Sequence, residues 1–594
     1  MNSDRKKPVP YGITDLKQII NKNYAYADKT QFIEKLEEEE NPVNLFVRPY
    51  KFGKSLFVST LAYYYDMKET ENFDKLFGDL YIGKHPTDEK NSYAVMKLDF
   101  AGIYVSDSEE FQRNLTARMY ESMCNFIDRY RKYFPNSRDY IFDDKKIPDM
   151  KIIDVIFRET TINKVKIYVT IDNYDSFVDD IAATGKIPNR AMIDKLEAVR
   201  VFYEEMSAAL KTSDRHRMFI TGISPVLYEY FSTLFSINNI SKDPLYHEMM
   251  GFTQEEYQWF RENMEFWIQE DRIILQEKLY GGYLFDDNNS NRLLHPDMVL
   301  YPQYKKDYEY MSRKYFSDSL IARYDRWLGL ILDDKKYQIL QDIVKNNGIK
   351  ADVEQMFTDN EITDEKDFIA LLFYTGLLTI DKTAFLKVPN YTARCILNSY
   401  LFEKRSRIHP EKIIFLDIDG VLQPSTQYRF EHINEIDELN QQLQKKYGVD
   451  YGVYDKYDVT AVYYDWNKKA VADLKRILDV TGAKIVVSSD WRRATLDRMV
   501  DFCTIYGFGD AIVGSTITGD IDKIKKGDEK YRKLRNPRSR EILFYLETHP
   551  GIKNYVALDD MNLVTDLTDQ HAIETCGYLT EQEADLCIEL LKKK

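Results

Sequence analysis

Along this chain, short runs that are apolar throughout alternate with longer stretches in which apolar residues recur every three or four positions. VNLFV (43–47), YAVMKLDF (93–100), KIYVTID (166–172) and MFITGIS (218–224) are runs of the first kind. Such runs suit strands of a parallel sheet covered on both faces, and the amphipathic stretches between them suit crossover helices. The pattern predicts an α/β domain over about 43–224. From about 245 to 400 it turns mainly helical, with one late strand-like pair, GLLTI and AFLKVPN. FEKRSRIHPEK (402–412) is charged and carries a proline, which marks a boundary. A second α/β unit follows, in which KIIFL, AKIVV and NYVAL are the strands. NKKAVADLKRIL (467–478) sets Val471, Leu474, Ile477 and Leu478 on one helical face. The expected division is 1–244, 245–401, a linker at 402–411, and 412–594.

Composition narrows the picture. A chain of 594 residues exceeds a single core, and 44% hydrophobic with 14% aromatic residues excludes wholesale disorder. A net charge of −15 argues against coating nucleic acid through the overall field. The five cysteines are scattered without CxxC spacing, so neither a disulfide framework nor a zinc site is expected, in keeping with a reducing cytosol. MNSDRKKPVP has no apolar core, and no run approaches the ~18–20 residues that span a bilayer. The expectation is a cytoplasmic protein with no membrane segment.

Three strands of the second unit end on polar groups. KIIFLDIDG runs into Asp417 and Asp419, KIVVSS into Ser488, and NYVALDD into Asp559 and Asp560. Open α/β sheets bind ligands at the carboxyl ends of their strands, and hard oxygen donors suit magnesium. DxDG alone is equally the pattern of a turn or a calcium-type loop; three such strand ends in order point to a site. Asp417 would attack phosphorus. The Asp419 carbonyl would face magnesium and its side chain the leaving-group oxygen, with Ser488 on a phosphoryl oxygen and Asp559 and Asp560 completing the metal set. NPRSREI supplies arginines to neutralise phosphoryl charge.

Over roughly 411–594 the chain resembles the haloacid dehalogenase (HAD) superfamily of phosphatases. IVVSSDWR, REILFYL and YVALDD are similar to the phosphatase-like domain of Swiss-army-knife RNA-repair proteins. The resemblance implies an aspartyl-phosphate on Asp417, Asp419 as general acid/base, and magnesium held by Asp417, Asp419, Asp559 and Asp560. An acid at the second DxD position favours phosphatase over dehalogenase chemistry. Lys533, Arg538 and Arg540 compete for the basic third motif; Arg540 is preferred because it opens the helix SREILFYLE. The insertion at about 424–462 would set specificity but does not name a substrate. KIKKGDEKYRKLRNPRSR (523–540) holds nine basic and two acidic residues, which would gather a polyphosphate or nucleic-acid strand or form a solvated loop. Trp491, Arg492 and Arg493 either grip a nucleotide or pack.

In the first half, RPYKFGKS ends as a phosphate-binding loop ends: Gly53, Lys54 for phosphates and Ser55 for magnesium. Asp172 closes KIYVTID as a metal-holding acid, and Thr221 in MFITGIS would sense a γ-phosphate. These segments, with NNISKDPLYHEMMGFTQEEY, YGGYLF, YTGLLTI and LKVPN, resemble the AAA-ATPase-like family of gut bacteria over roughly 8–395. That family carries an arginine where Arg48 stands, and reads IDEYD where this chain has Asn173. An amide orients water but cannot take its proton, so ATP binding with slow or absent hydrolysis is implied.

The expected fold class is α/β: a P-loop ATPase-like parallel sheet with a mainly helical subdomain, then a Rossmann-like HAD fold. The expected function is an ATP-binding regulatory or assembly module, a candidate for homo-oligomerisation, fused to a magnesium-dependent phosphatase for nucleotides or nucleic-acid ends. Its setting would be RNA repair or phage defence. Alternatives are a polynucleotide kinase–phosphatase and a nucleotide-gated scaffold without turnover.

Overall fold

The computed structural model describes residues 6–103, 108–141, 152–176, 197–212, 216–225, 228, 236–265, 278–305, 333–351, 365–381, 385–407, 410–425, 428–493, 496–516 and 529–593. The chain divides into two compact units, one built mainly from residues up to Arg394 and the other from Cys395–Lys594.

The first unit holds a five-stranded sheet of β1 (Val43–Val47), β2 (Tyr93–Asp99), β3 (Lys166–Asp172), β4 (Arg217–Gly222) and β5 (Asn238–Asn239), in the order β2-β3-β4-β1-β5. Every pairing is parallel, as the uniformly apolar runs require. Asp99 pairs in register with Asp172, and Val47 with Gly222, so the strand ends lie level. A small antiparallel sheet of β6 (Gly348–Lys350), β7 (Thr379–Ile380) and β8 (Phe385–Lys387) contains the late strand pair.

The second unit is built on β9 (Lys412–Leu416), β10 (Lys484–Val487), β11 (Ile512–Ser515), β12 (Asn554–Asp559) and β13 (Ala572–Glu574), ordered β11-β10-β9-β12-β13 and parallel throughout. Alternate strand residues enter separate cores. Ile414, Leu416, Ile485, Val487 and Leu558 pack on one face, and Ile413, Phe415, Val486 and Ala557 on the other. The helix Lys468–Thr481 covers the first face with Val471, Leu474, Ile477 and Leu478, all buried as the periodicity predicts. Its ends follow from local chemistry. Asn467 accepts from the Lys469 and Ala470 amides, and Gly482 closes the helix at φ 68. The chain fills the sheet outward from β9 to β11, then returns to β12 on the other side of β9. That reversal opens a crevice at the carboxyl ends of β9 and β12.

The charged segment 402–411 departs from the linker pattern at its start. The helix Tyr391–Arg407 runs through it to Arg407, since Glu, Lys and Arg are good helix formers and the proline comes only at 410.

Candidate active sites at two sets of strand ends

The ladder brings the acids of the second unit together. The Asp417 amide donates to Leu558 O (2.9 Å) and the Ser488 amide to Leu416 O (2.8 Å), so Asp417, Ser488 and Asp559 stand at one level of the sheet. Carboxylate oxygens of Asp417, Asp559 and Asp560 lie within 4.8 Å of one another. Gly420 makes the approach feasible: its φ is +75, and a Cβ there would meet the Asp560 side chain at 2.5 Å. Burial pushes the Asp417 carboxyl above its ordinary value, opposed by Arg538 and Ser489. Burial, reinforced by the Asp417 charge, pushes Asp559 up to about 7. Three crowded carboxyls, two of them buried, form a hard-oxygen set that a divalent cation fits and that proton uptake otherwise relieves.

The Asp419 side chain stands outside that trio. Its Oδ1 accepts from Gln423 Nε2 (2.8 Å) and its Oδ2 from the Trp491 indole N–H (3.0 Å). Among the named metal ligands it offers at most its carbonyl, while the side chain is held apart, as an acid/base would be. Burial raises its carboxyl too, opposed by Trp491 and Arg429. Trp491 is thus buried against the site and bonded to Asp419, a role its sequence context left open.

The basic residue beside Asp417 is Arg538, and the preference for Arg540 is corrected. Arg538 Nη1 lies 3.8 Å from Asp417 Oδ1, and Nε lies 4.0 Å from Asp559 Oδ2. That Nη1 is buried with no hydrogen-bond partner among the described residues. Arg540 Nη2 instead donates to Leu534 O (2.9 Å). Both sit on the helix Pro537–Thr548, where two residues apart means roughly 200° of rotation, so only one can face the crevice. Lys533 is exposed and pairs with Glu529. Residues 523–528 of the basic run lie outside the described residues.

The KIVVSS strand end divides its labour. Ser488 Oγ accepts from Thr516 Oγ1 at 3.4 Å, whereas Ser489 Oγ accepts from the Ile418 amide at 3.4 Å and its hydroxyl stabilises the Asp417 carboxylate. Arg492 is neither a free grip nor a surface charge: it pairs with Glu541 at 2.6 Å, nearly buried, and holds Ser489 O at 3.0 Å.

In the first unit the loop after β1 feeds the helix Lys54–Tyr65, with Gly53 at φ 103 as its N-cap. Gly53, Lys54, Ser55 and Asn173 line one cavity of about 580 Å³, a size that suits a nucleotide. Asp172 joins them electrostatically. Burial raises its carboxyl, opposed by the Ser55 side chain and by Lys54. Lys54 Nζ, however, donates to its own loop, to Arg48 O (2.9 Å) and Pro49 O (2.7 Å). Thr221 fits the sensor expectation poorly. Its hydroxyl proton is committed to Phe46 O on β1 (2.7 Å), so a contact to a γ-phosphate would require that bond to break.

Arg48 explains its own presence. Its guanidinium is sandwiched at 4.1 and 4.2 Å by the Phe46 and Phe285 rings and donates to the Val47 and Ser241 carbonyls. A glycine could root the loop in neither way. Burial lowers this guanidinium to about 9. Asn173, with φ 53, donates through Nδ2 to Asp99 Oδ1 at 3.0 Å. Asp99 ends β2 as Asp172 ends β3, and the sequence reading passed over it.

Comparison with known proteins agrees with this layout. Residues 10–232 match the AAA-ATPase-like family, described as a predicted AAA-ATPase. Residues 413–584 match the HAD domain in Swiss Army Knife RNA repair proteins. An "Uncharacterized protein in vnfD 5′ region" of Azotobacter chroococcum is 23% identical over 253 residues, 42% of this chain and 44% of that protein. The chain therefore spans less than half the length of that curated relative. The Walker-type ATPase of Pyrococcus abyssi is a distant structural likeness, 12% identical with a TM-score of 0.34, over 67% of this chain and 99% of that one. Successive parts of the chain thus match an AAA-ATPase-like domain and a HAD domain of the kind found in Swiss Army Knife RNA repair proteins.

Proposed function

We propose that the HAD domain is a magnesium-dependent phosphatase acting on nucleotides or nucleic-acid ends through an aspartyl-phosphate. The observation that carries this is the Asp417–Asp559–Asp560 cluster with the buried Arg538 Nη1 3.8 Å from Asp417. Asp417 attacks phosphorus, and the P–O bond to the leaving group breaks. Asp419, held by Trp491 and Gln423, gives its proton to the departing oxygen. The same carboxylate then takes a proton from the water that cleaves the acyl phosphate, releasing phosphate and restoring Asp417. Arg538 donates to the phosphoryl oxygens as charge develops. A magnesium ion held by Asp417, Asp559, Asp560 and the Asp419 carbonyl would offset the negative charge of substrate and carboxylates.

The AAA-ATPase-like domain, in this reading, binds ATP through Gly53, Lys54, Ser55 and Asp172 and acts as a regulatory or assembly module. Asn173 keeps its hydrolysis slow. RNA repair is the setting that the HAD family's own description names, and phage defence is a second setting for the same chemistry.

The test is phosphate release from mononucleotides and from 3′- and 5′-phosphorylated oligonucleotides with magnesium. Asp417→Asn is expected to lose at least about 1,000-fold. Unchanged release would refute the assignment.

A further inference from the structure

The insertion after DIDG leaves three aromatic rings in water beside Asp419. Tyr428 and Phe430, on the short helix Tyr428–Glu431, are 56% and 54% exposed, and Tyr457, on Lys456–Thr460, is 43% exposed. The Phe430 and Tyr457 rings stand 5.8 Å apart. Rings of this size usually contribute their area to a core, and neighbouring exposed ones mark a surface that something covers.

The rings are anchored. Arg429, between Tyr428 and Phe430, pairs with the buried Asp465, whose Oδ1 also accepts from the Arg429 amide (3.1 Å). Asp458, next to Tyr457, pairs with Arg498, whose Nη2 donates to Trp491 O (2.6 Å), and the Trp491 indole in turn donates to Asp419 (3.0 Å). Both ring-bearing turns are therefore fixed at the Asp419 side of the crevice. In the mechanism above, Asp419 protonates the leaving oxygen, so the rest of the leaving group emerges on that side.

We propose that Tyr428, Phe430 and Tyr457 form a stacking shelf for the terminal bases of a single-stranded nucleic acid whose end phosphate enters the Asp417 site. Every base offers a π-face that stacks on an aromatic side chain whatever the sequence. A sugar phosphate has no such face. The inference rests on the phosphatase reading and narrows its substrate to strand ends.

The experiment compares kcat/KM of the full chain for a phosphorylated single-stranded oligonucleotide with that for ribose 5-phosphate. Phe430→Ala and Tyr457→Ala should each lower the ratio about tenfold, mainly through KM of the oligonucleotide. Tyr457→Phe, which keeps the ring, should restore it, and Val480→Ala, an exposed apolar side chain in the last turn of the helix Lys468–Thr481, should leave it alone. An unchanged ratio in both alanine variants overturns the shelf while the phosphatase stands. Absence of phosphate release by the unmodified protein overturns both.

Discussion

The two parallel sheets both end on acids, yet their strand ends are in opposite states. In the HAD domain, the carboxylates of Asp417, Asp559 and Asp560 crowd together and Arg538 Nη1, 3.8 Å from Asp417, has no hydrogen-bond partner among the described residues. In the AAA-ATPase-like domain the polar groups are answered from within. Lys54 donates to its own loop, Thr221 to β1, and Asn173 to Asp99. One site holds three crowded carboxyls answered only by long ion pairs to Arg538, which a metal and a phosphoryl group would settle. The other must exchange internal hydrogen bonds for those of a nucleotide. Groups that must change partners make a conformational switch out of binding, whereas a prearranged charged crevice favours turnover.

The largest effect that sharpens this contrast is on stability. Asp559 in the folded chain holds its proton up to about 7, against 3.8 ordinarily. Between those values the folded state binds more protons than the unfolded one, so metal-free stability falls as pH rises from about 4 to about 7. Fully expressed, that loss is on the order of 4 kcal/mol. Melting in chelator at pH 5 and pH 8 should show it, magnesium should reverse it at pH 8, and Asp559→Asn should make it distinctly smaller, leaving the part due to the other raised carboxyls. A variant with the original pH dependence would place the strain elsewhere.

Next comes the arginine pair. Arg538→Ala should lower phosphate release about 100-fold, the cost of one transition-state donor, and Arg540→Ala less than about threefold. The reverse order would return the third-motif role to Arg540. The smallest effect belongs to the other sheet. Asn173→Glu restores a proton acceptor and should raise ATP turnover about tenfold with little change in nucleotide affinity, measured by ADP release and equilibrium binding. A variant that gains nothing would mean that the internal bonds of Lys54 and Thr221, and not the missing acid, hold the site back.

Much of this was legible in the sequence. Strands buried on both faces announce themselves as apolar runs, so β1–β4 of the first sheet and β9, β10 and β12 of the second could be read directly with most of the acids at their tips, whereas the short edge strands β5, β11 and β13 could not. Choices between neighbours could not. Arg538 and Arg540, or Ser488 and Ser489, differ only in which way a helix or strand end turns them, and that depends on packing. Trp491 could be read as stacking or as core, because its bond to Asp419 joins residues 72 apart. The long-range clamp of Arg48, to Ser241 and Phe285, was invisible for the same reason. Asp99 is the exception: it ends an apolar run as Asp172 and Asp559 do, and the same rule applied to MKLDF would have found it.

The central claim is that Asp417 takes the phosphoryl group. Acid quenching of the protein during turnover of a phosphorylated oligonucleotide, followed by peptide mass spectrometry, tests it directly. The account predicts a covalent phosphate on the peptide carrying Asp417, absent from Asp417→Asn. Turnover without any phosphopeptide, or with phosphate on another residue, would contradict it.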